Sequence, residues 1–197
     1  MSDTPISDVQ GTQELLGALG EQLAARGESY TLAVVGGSAL IALGLISRAT
    51  RDVDVLALVE GQELVSAEPL PPGLLDAART VARDFGLAED WLNPGPSSLL
   101  QLGLPRGFYH RAERRVYGEG LEVLFASRLD QIHLKLYATV DQGAGKHLSD
   151  LQALAPTRQE LLDAAAWSET HDPSEGYRGV LSQVLAHLGV DDGPAAA

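Results

Sequence analysis

The sequence predicts an α+β fold, with strands and helices together over about residues 27–127 and only helices after them. Short apolar runs between turn residues, which are typical of buried strands, occur in the first part of the chain. From Leu129 onward, apolar residues recur at helical spacing instead. A hydrophobic fraction of 45% over 197 residues is that of a globular chain with a core of its own. We therefore place an α/β domain with an N-terminal helix at 1–127, a helical lobe at 128–190 and a disordered tail at 191–197.

Charge and composition exclude several classes of protein. The chain has 14 Lys and Arg against 27 Asp and Glu, a formal net charge of −13, which argues against broad electrostatic binding to nucleic acid or an anionic membrane. It has no cysteine, which excludes disulfide scaffolds, thiolate metal sites and cysteine nucleophiles. The first ten residues lack the basic and apolar regions of a signal peptide, and residues 30–47 are too interrupted to span a membrane. We expect a cytoplasmic protein of bacterial type that makes no membrane contact.

The first elements follow from local spacing and turn residues. Leu15 and Leu23 belong to a set of apolar residues at helical spacing, which predicts a helix over 8–26 that Gly27 ends. The apolar run at 30–35 and the β-rich run at 53–58 are each bounded by turn residues and predict the first two strands.

Further along the chain the pattern becomes mostly helical. The other predicted helices lie at 39–45, 74–85, 129–140, 146–154, 158–167 and 177–188. Residues 107–127 form two extended segments separated by Gly118 and Gly120, whereas residues 91–96 form a loop because their prolines break any helix.

The stretch between the first two strands carries the clearest chemical pattern. The first strand runs directly into Gly36-Gly37-Ser38, and thirteen residues, 39–51, separate that turn from Asp52 and Asp54. Alternate residues of a strand point to the same face, so the two carboxylates project side by side. Such a pair repels unless a divalent cation lies between its members, and hard oxygen ligands suit Mg²⁺. A glycine turn at a strand-to-helix junction presents N–H groups and a hydroxyl to an anion such as phosphate.

Each half of this pattern has an ordinary structural explanation. A lone Gly-Gly-Ser is usually a turn, and a lone Asp-x-Asp is usually a solvated strand edge. Together, in strand–turn–helix–strand order, they predict Mg²⁺-nucleotide chemistry. The stretch is not a Walker A loop, because Gly-Lys-Ser/Thr is missing.

The pattern Val35-Gly36-Gly37-Ser38 followed by Asp52-Val53-Asp54 resembles the nucleotidyltransferase superfamily, which has the polymerase-beta-like fold. The resemblance implies a mixed sheet flanked by helices, Mg²⁺ or Mn²⁺ as the cofactor and a nucleoside triphosphate as the donor substrate. It also implies a third carboxylate on a neighbouring strand, for which Glu122 is the best candidate. The alternative for Glu122 is a solvent-facing strand residue.

The order of motifs along the chain is similar to that of the AbiEii-type nucleotidyltransferase toxins of bacteria and their smaller relatives of unknown function. The matches are the glycine turn, the Asp pair, Lys135 on a following helix, and Asp150 three residues after His147. The tripeptide Trp91-Leu92-Asn93 also looks like the smaller relatives. The alternative for Lys146 and Asp150 is an i,i+4 ion pair on a solvated helix.

From these residues and the resemblance we assign three sets of candidate site residues. Those for metal binding are Asp52, Asp54 and Glu122. Those for catalysis are Asp52, Asp54, Glu122, Lys135 and Asp150. Those for nucleotide binding are Gly36, Gly37, Ser38, Arg51, Lys135 and Lys146.

The expected reaction is the transfer of a nucleoside monophosphate from the triphosphate to a hydroxyl group. The acceptor stays open among RNA (tRNA included), protein and small molecules, and the protein could be one half of a toxin–antitoxin pair with a cognate antitoxin as its partner. Two other functions stay open: a non-catalytic nucleotide- or partner-binding module, and an aminoglycoside-type adenylyltransferase, whose cationic substrate the net charge of −13 would permit.

A local basic patch lies in this acidic chain. Its members are Arg106, His110, Arg111, Arg114 and Arg115, with Phe108 and Tyr109 among them. The patch could contact a triphosphate or an RNA backbone. The alternative is a solvated strand edge whose charges discourage aggregation.

Overall fold

The computed structural model of the chain describes residues 5–190, so the predicted tail lies outside the described residues. The chain divides into two compact units, with the boundary between Ser127 and Arg128. Each unit is described by itself below. Across residues 5–190, no helix is both long and apolar enough to cross a membrane.

The first unit alternates helices and strands. Its helices are α1 (Val9–Ala24), α2 (Gly36–Ala42), α3 (Pro72–Phe85), α4 (Leu99–Leu102) and α5 (Phe108–Arg111). Its strands are β1 (Tyr30–Val35), β2 (Val53–Glu60), β3 (Glu63–Val65), β4 (Leu92–Asn93), β5 (Glu113–Tyr117) and β6 (Leu121–Phe125). A short 3₁₀ helix at Gly95–Ser98 follows β4.

The six strands form one mixed sheet in the order β3-β2-β1-β6-β5, with β4 pairing with the start of β2. The central strand β1 runs antiparallel to β2 and parallel to β6. The two outer pairs, β2–β3 and β5–β6, are antiparallel. A mixed sheet flanked by helices, followed by further helices, confirms the predicted fold class.

Helices α1 and α3 cover one face of this sheet. Leu16, Leu19 and Leu23 of α1 are fully buried and pack in one apolar cluster with Leu74 of α3 and the sheet. Fully burying a leucine side chain contributes about 1.5–3 kcal/mol, so this layer adds substantially to the stability of the unit. The Asp8 side chain accepts a hydrogen bond from the Gly11 N–H at 2.7 Å and caps the start of α1.

The second unit consists of helices in the described part of the chain. They are α6 (Arg128–Gln142), α7 (Lys146–Ala153), α8 (Arg158–Glu169) and α9 (Glu175–His187). The Arg128 guanidinium connects three of them. It donates to the Leu154 carbonyl at 2.9 Å, to the Ala155 carbonyl at 2.9 Å and to Glu160 Oε1 at 2.7 Å.

Glu160 also closes the start of α8. Its carboxylate accepts from the Thr157 N–H at 2.8 Å, and the Thr157 hydroxyl accepts from the Glu160 N–H, which makes a capping box. Hydrogen bonds from Arg128 and then from Thr157 favour the ionised carboxylate and lower the pKa of Glu160 to about 2.

Local patterns predicted the longer elements to within a few residues. They missed β3 and α4, and three further segments differ from the predictions. Residues 108–111 are a helix rather than an extended segment, because Gly107 turns the chain with φ +82° and Phe108 is buried. Leu92–Asn93 is a short strand inside the predicted loop, since the edge of β2 accepts it. Helix α2 begins at Gly36 instead of Ala39, so the glycine turn forms its first turn.

Candidate active site

The glycine turn and the Asp-x-Asp strand meet at Gly36 and Asp54. Asp54 lies opposite Val35 in the β1–β2 ladder, which places its side chain beside the next residue of the chain. Gly36 has φ +75°, a conformation that favours glycine. A Cβ at this position would overlap the Asp54 carboxylate. The structure therefore requires glycine at residue 36 for two reasons, backbone conformation and close approach to the acid.

Asp52 and Asp54 lie on one side of the β2 segment. Val53 and Val55, which alternate with them, are fully buried in the apolar core. The two acids are partly exposed. The period of two therefore directs both carboxylates away from the core, and the Asp54 carboxylate lies beside the turn at Gly36.

The loop between α2 and β2 packs against Gly37. A Cβ on Gly37 would lie 3.1 Å from Arg48 Nη2 and 3.2 Å from Thr50 Oγ1, so both side chains contact this glycine. The Thr50 hydroxyl donates to Asp52 Oδ1 at 2.9 Å. Arg51, which we predicted to bind the nucleotide, is exposed. Arg48 is thus the arginine that the structure places against the turn, and no spacing rule in the sequence distinguished it from Arg51.

Ser38 is buried within the first turn of α2. Its side-chain oxygen has no hydrogen-bond partner among the described residues. A buried hydroxyl left without a partner costs about 1–3 kcal/mol, so such a group usually has a ligand or water as its partner.

Asn93 is a site residue that the sequence did not assign to any role. Its side-chain amide donates to Asp54 Oδ1 at 3.0 Å, across the short β2–β4 ladder. In the sequence, only a resemblance to the smaller relatives distinguishes the tripeptide Trp91-Leu92-Asn93. A strand of two residues gives no periodicity from which this contact could be predicted.

Glu122 does not join the Asp pair, which corrects the sequence-based assignment. In the sheet register Glu122 lies opposite Thr31 of β1, whereas Asp54 lies opposite Val35. Those two positions are four residues apart (35 − 31 = 4), or about 13 Å along the strand at roughly 3.3 Å per residue. Arg114 Nη1 donates to Glu122 Oε1 at 2.8 Å, and the Thr31 hydroxyl donates to its other oxygen at 3.3 Å.

The arrangement of potential metal ligands in the described residues supports the same correction for Glu122. Within residues 5–190, no group of three or more His, Cys, Asp or Glu side chains is arranged to hold a metal ion. We therefore remove Glu122 from the candidate metal site, which keeps Asp52 and Asp54 as its two protein carboxylates.

Lys135 and Asp150 form a buried ion pair in the second unit. Lys135 Nζ lies 2.8 Å from Asp150 Oδ2, and the side chains are only 6% and 1% exposed. The pair connects α6 to α7. Lys146, the alternative ion-pair partner for Asp150, is exposed at the start of α7. Because desolvation makes a buried charge costly, loss of either partner leaves the other strongly destabilising.

Contacts within the chain engage two arginines of the basic patch, Arg114 and Arg115. Arg114 donates to the Tyr109 hydroxyl as well as to Glu122. Arg115 donates to Glu113 and, at 2.8 Å, to the Ala42 carbonyl. These bonds hold α5, β5 and β6 together and favour the structural explanation of the patch over a nucleic-acid surface.

A Gly-Gly-Ser turn packed against an Asp-x-Asp strand in a mixed sheet is the arrangement that the resemblance to nucleotidyltransferases predicts. The chain belongs to the family described as nucleotidyltransferase of unknown function (DUF6036), whose model matches residues 14–145. The matched region includes the glycine turn, the Asp pair and Lys135, whereas Asp150 lies beyond it. No curated protein matches the chain. No solved structure matches it either. The similarity to AbiEii-type toxins stays a prediction.

Proposed function

We propose that the chain is a Mg²⁺-dependent nucleotidyltransferase that moves a nucleoside monophosphate from a triphosphate to a hydroxyl acceptor. The observation that carries this proposal is the contact between Gly36 and the Asp54 carboxylate, with Asp52 on the same side of the strand. Under this proposal the turn would bind phosphate and the two carboxylates would bind the metal ion, close together in the first unit. Membership in a nucleotidyltransferase family supports the same reaction class.

The donor set fits a hard divalent cation. Asp52 and Asp54 supply carboxylate oxygens, and Mg²⁺ commonly takes one or two protein carboxylates together with substrate phosphates and water. Mn²⁺ accepts the same ligands. When bound, the cation would neutralise phosphate charge and stabilise the charge that develops on the leaving group. Two protein carboxylates are sufficient for this role.

The residues around the turn supply the remaining contacts for a triphosphate. Gly36 and Gly37 would bring the backbone close to the ligand, and the Ser38 hydroxyl, which has no partner among the described residues, could donate to a phosphate oxygen. Arg48 lies against Gly37 and supplies positive charge, while the exposed Arg51 is in the same loop. Arginine suits phosphate because its planar guanidinium donates two parallel hydrogen bonds.

Roles for residues of the second unit rest on the family resemblance. Lys135 would neutralise phosphate charge, Asp150 would act in catalysis and Lys146 would assist nucleotide binding. The buried Lys135–Asp150 pair supports a joint role for the first two, since their side chains are in direct contact.

In the proposed reaction the acceptor oxygen forms a bond to the α-phosphorus. The bond from that phosphorus to the bridging oxygen of the β-phosphate breaks, pyrophosphate leaves and the hydroxyl proton is released. The protein contributes mainly by positioning the phosphates and by electrostatic stabilisation. Acceptors of three chemical classes fit this scheme: RNA such as tRNA, a protein hydroxyl and a small-molecule hydroxyl. A toxin–antitoxin role, with a cognate antitoxin as the partner, would be compatible with either of the first two.

One observation favours a second candidate, a member of the fold that binds nucleotide or a partner without turnover. Glu122 is engaged with Arg114 and does not complete a three-carboxylate site. Such a module would bind a triphosphate and Mg²⁺ but transfer nothing.

Labelling distinguishes the two candidates. The purified chain is incubated with each of the four α-³²P-labelled nucleoside triphosphates, Mg²⁺ and a cell extract as the acceptor source. We expect labelled acceptor with the wild type and at least 100-fold less with Asp54→Asn, because the variant lacks one of two metal ligands. Asp76→Asn, which removes an exposed acid from α3 instead, should label like the wild type. Equal labelling by the wild type and Asp54→Asn would overturn the proposal, and triphosphate binding without labelling would establish the second candidate.

A further inference from the structure

We propose that Asn93 is a positioning residue for the candidate metal site, with its amide holding the Asp54 carboxylate in a fixed orientation. The inference rests on the proposed function only in taking Asp54 as a metal ligand. It does not depend on whether the bound nucleotide is transferred.

The hydrogen bonds of Asn93 determine which way its amide faces. The Gly95 N–H lies 3.0 Å from Asn93 Oδ1, and a backbone N–H can only donate. The amide oxygen must therefore face Gly95, and the NH₂ group must face Asp54, where it donates to Oδ1 at 3.0 Å. Reversing the amide would lose both bonds and place two oxygens together.

The backbone just before Asn93 is anchored at Trp91 by two hydrogen bonds. The Val53 N–H donates to the Trp91 carbonyl at 2.6 Å, which fixes β4 to the start of β2. The Trp91 ring is fully buried, and its indole N–H donates to the Ala78 carbonyl of α3 at 2.9 Å. Asn93 is thus held in register with Asp54 by the largest buried side chain of the unit.

Asn93 is suited to orienting a carboxylate because its amide donates a hydrogen bond but carries no charge of its own. Arg or Lys at this position would place a positive charge beside Asp54 and weaken a cation site, whereas a neutral amide restricts rotation and adds no charge. Asp52 is likewise oriented by a neutral group, since the Thr50 hydroxyl donates a hydrogen bond to its Oδ1 at 2.9 Å. The other carboxylate oxygen of Asp54, Oδ2, lies against Gly36. The amide and the glycine therefore contact different oxygens of the same carboxylate.

Binding of Mn²⁺ alone tests the inference without any activity assay. The loss of the free Mn²⁺ signal in electron paramagnetic resonance gives a Kd for the full chain. Partners of metal-binding groups typically change affinity by about 10–100-fold, so we expect Asn93→Ala to raise the Mn²⁺ Kd at least 10-fold. The matched control is Ser97→Ala in the adjoining 3₁₀ helix. Ser97 bonds to the Leu56 carbonyl and the Ala67 N–H. Its removal should lower the melting temperature but leave the Mn²⁺ Kd within twofold.

A double-variant comparison separates positioning from general support of the fold. In an Asp54→Asn background the amide has no metal-binding carboxylate to orient, so Asn93→Ala should cause no further loss of Mn²⁺ affinity. In an Asp52→Asn background, where binding depends on Asp54, the loss should persist.

Three results would overturn the inference. They are wild-type affinity in Asn93→Ala, an equal loss in the Asp54→Asn background, and no Mn²⁺ binding by the wild type. Failure of the labelling experiment together with the expected Mn²⁺ results would remove nucleotidyl transfer and leave the positioning role of Asn93 in place.

Discussion

The Asp54 carboxylate occupies the space that a side chain at residue 36 would need. This contact ties the turn after β1 to the acid on β2. Substitution of residue 36 therefore tests the site directly, because even a methyl group there would displace the Asp54 carboxylate.

Gly36→Ala should therefore cost more than the positive φ alone explains. A non-glycine residue in this conformation costs about 1–2 kcal/mol, and the clash with Asp54 adds to that. The matched control is Gly61→Ala, since Gly61 has a similar φ of +67° and open space around it. We expect a larger loss of unfolding free energy in urea for Gly36→Ala than for Gly61→Ala, and a weaker Mn²⁺ affinity only in Gly36→Ala. Equal effects of the two substitutions would contradict the contact.

Glu122→Gln should leave metal binding intact. Its carboxylate pairs with Arg114, which is about half exposed, and exposed pairs contribute about 0–1 kcal/mol. We expect a Mn²⁺ Kd within twofold of the wild type by electron paramagnetic resonance, against a large increase for Asp54→Asn. A comparable increase in both variants would return Glu122 to the metal site.

Single substitution of Lys135 should destabilise the fold independently of any effect on activity. Lys135→Met leaves Asp150 buried without its cation, and breaking such a pair costs about 3–5 kcal/mol. Lys135→Met combined with Asp150→Leu should recover much of that loss in urea denaturation, since an apolar pair replaces the ionic one. A single variant as stable as the wild type would contradict the buried ion pair.

Glu160 makes stability depend on pH at the acid end. Its pKa falls from 4.5 to about 2 on folding, so the unfolded chain binds the proton more readily. The stabilisation is complete above about pH 5 and is lost as the pH falls toward 2. Glu160→Gln keeps the helix cap but loses the charge. At pH 7 we expect it to lower the unfolding free energy by about 1–3 kcal/mol, a range that allows for solvent screening of a side chain that is 23% exposed. At pH 2 we expect little effect on the unfolding free energy.

The control for this prediction is Glu169→Gln, at the other end of the same helix, which removes one carboxylate without touching Arg128. A constant difference between the wild type and Glu160→Gln from pH 7 to pH 2 would contradict the account.

The sequence predicted the parts of this site that depend on local pattern. The apolar run of β1 and the alternation around Asp52 and Asp54 are local, so the turn and the acid pair could be found from spacing. Asn93 could not, because its role depends on a ladder formed with a strand distant in the chain. The error at Glu122 has the same origin, since strand register is set by pairing partners and not by the residues of one strand.

Arg48 shows a further limit of sequence reasoning. Both Arg48 and Arg51 lie in the loop before β2, and the sequence gives no reason to expect a different role for either of them. The path of the loop places Arg48 against Gly37 and leaves Arg51 exposed. Loops without a repeating pattern carry no signal from which such a difference could be predicted.

Transfer of a nucleoside monophosphate at the Asp54 site is distinguished from transfer of a terminal phosphate by the position of the label that reaches the acceptor. The wild type is incubated with Mg²⁺, acceptor extract and the same triphosphate labelled with ³²P at either the α or the γ position. We predict that the α label reaches the acceptor, that the γ label is released as pyrophosphate and that Asp54→Asn abolishes both. Transfer of the γ label, or α-label transfer that survives in Asp54→Asn, would contradict the account.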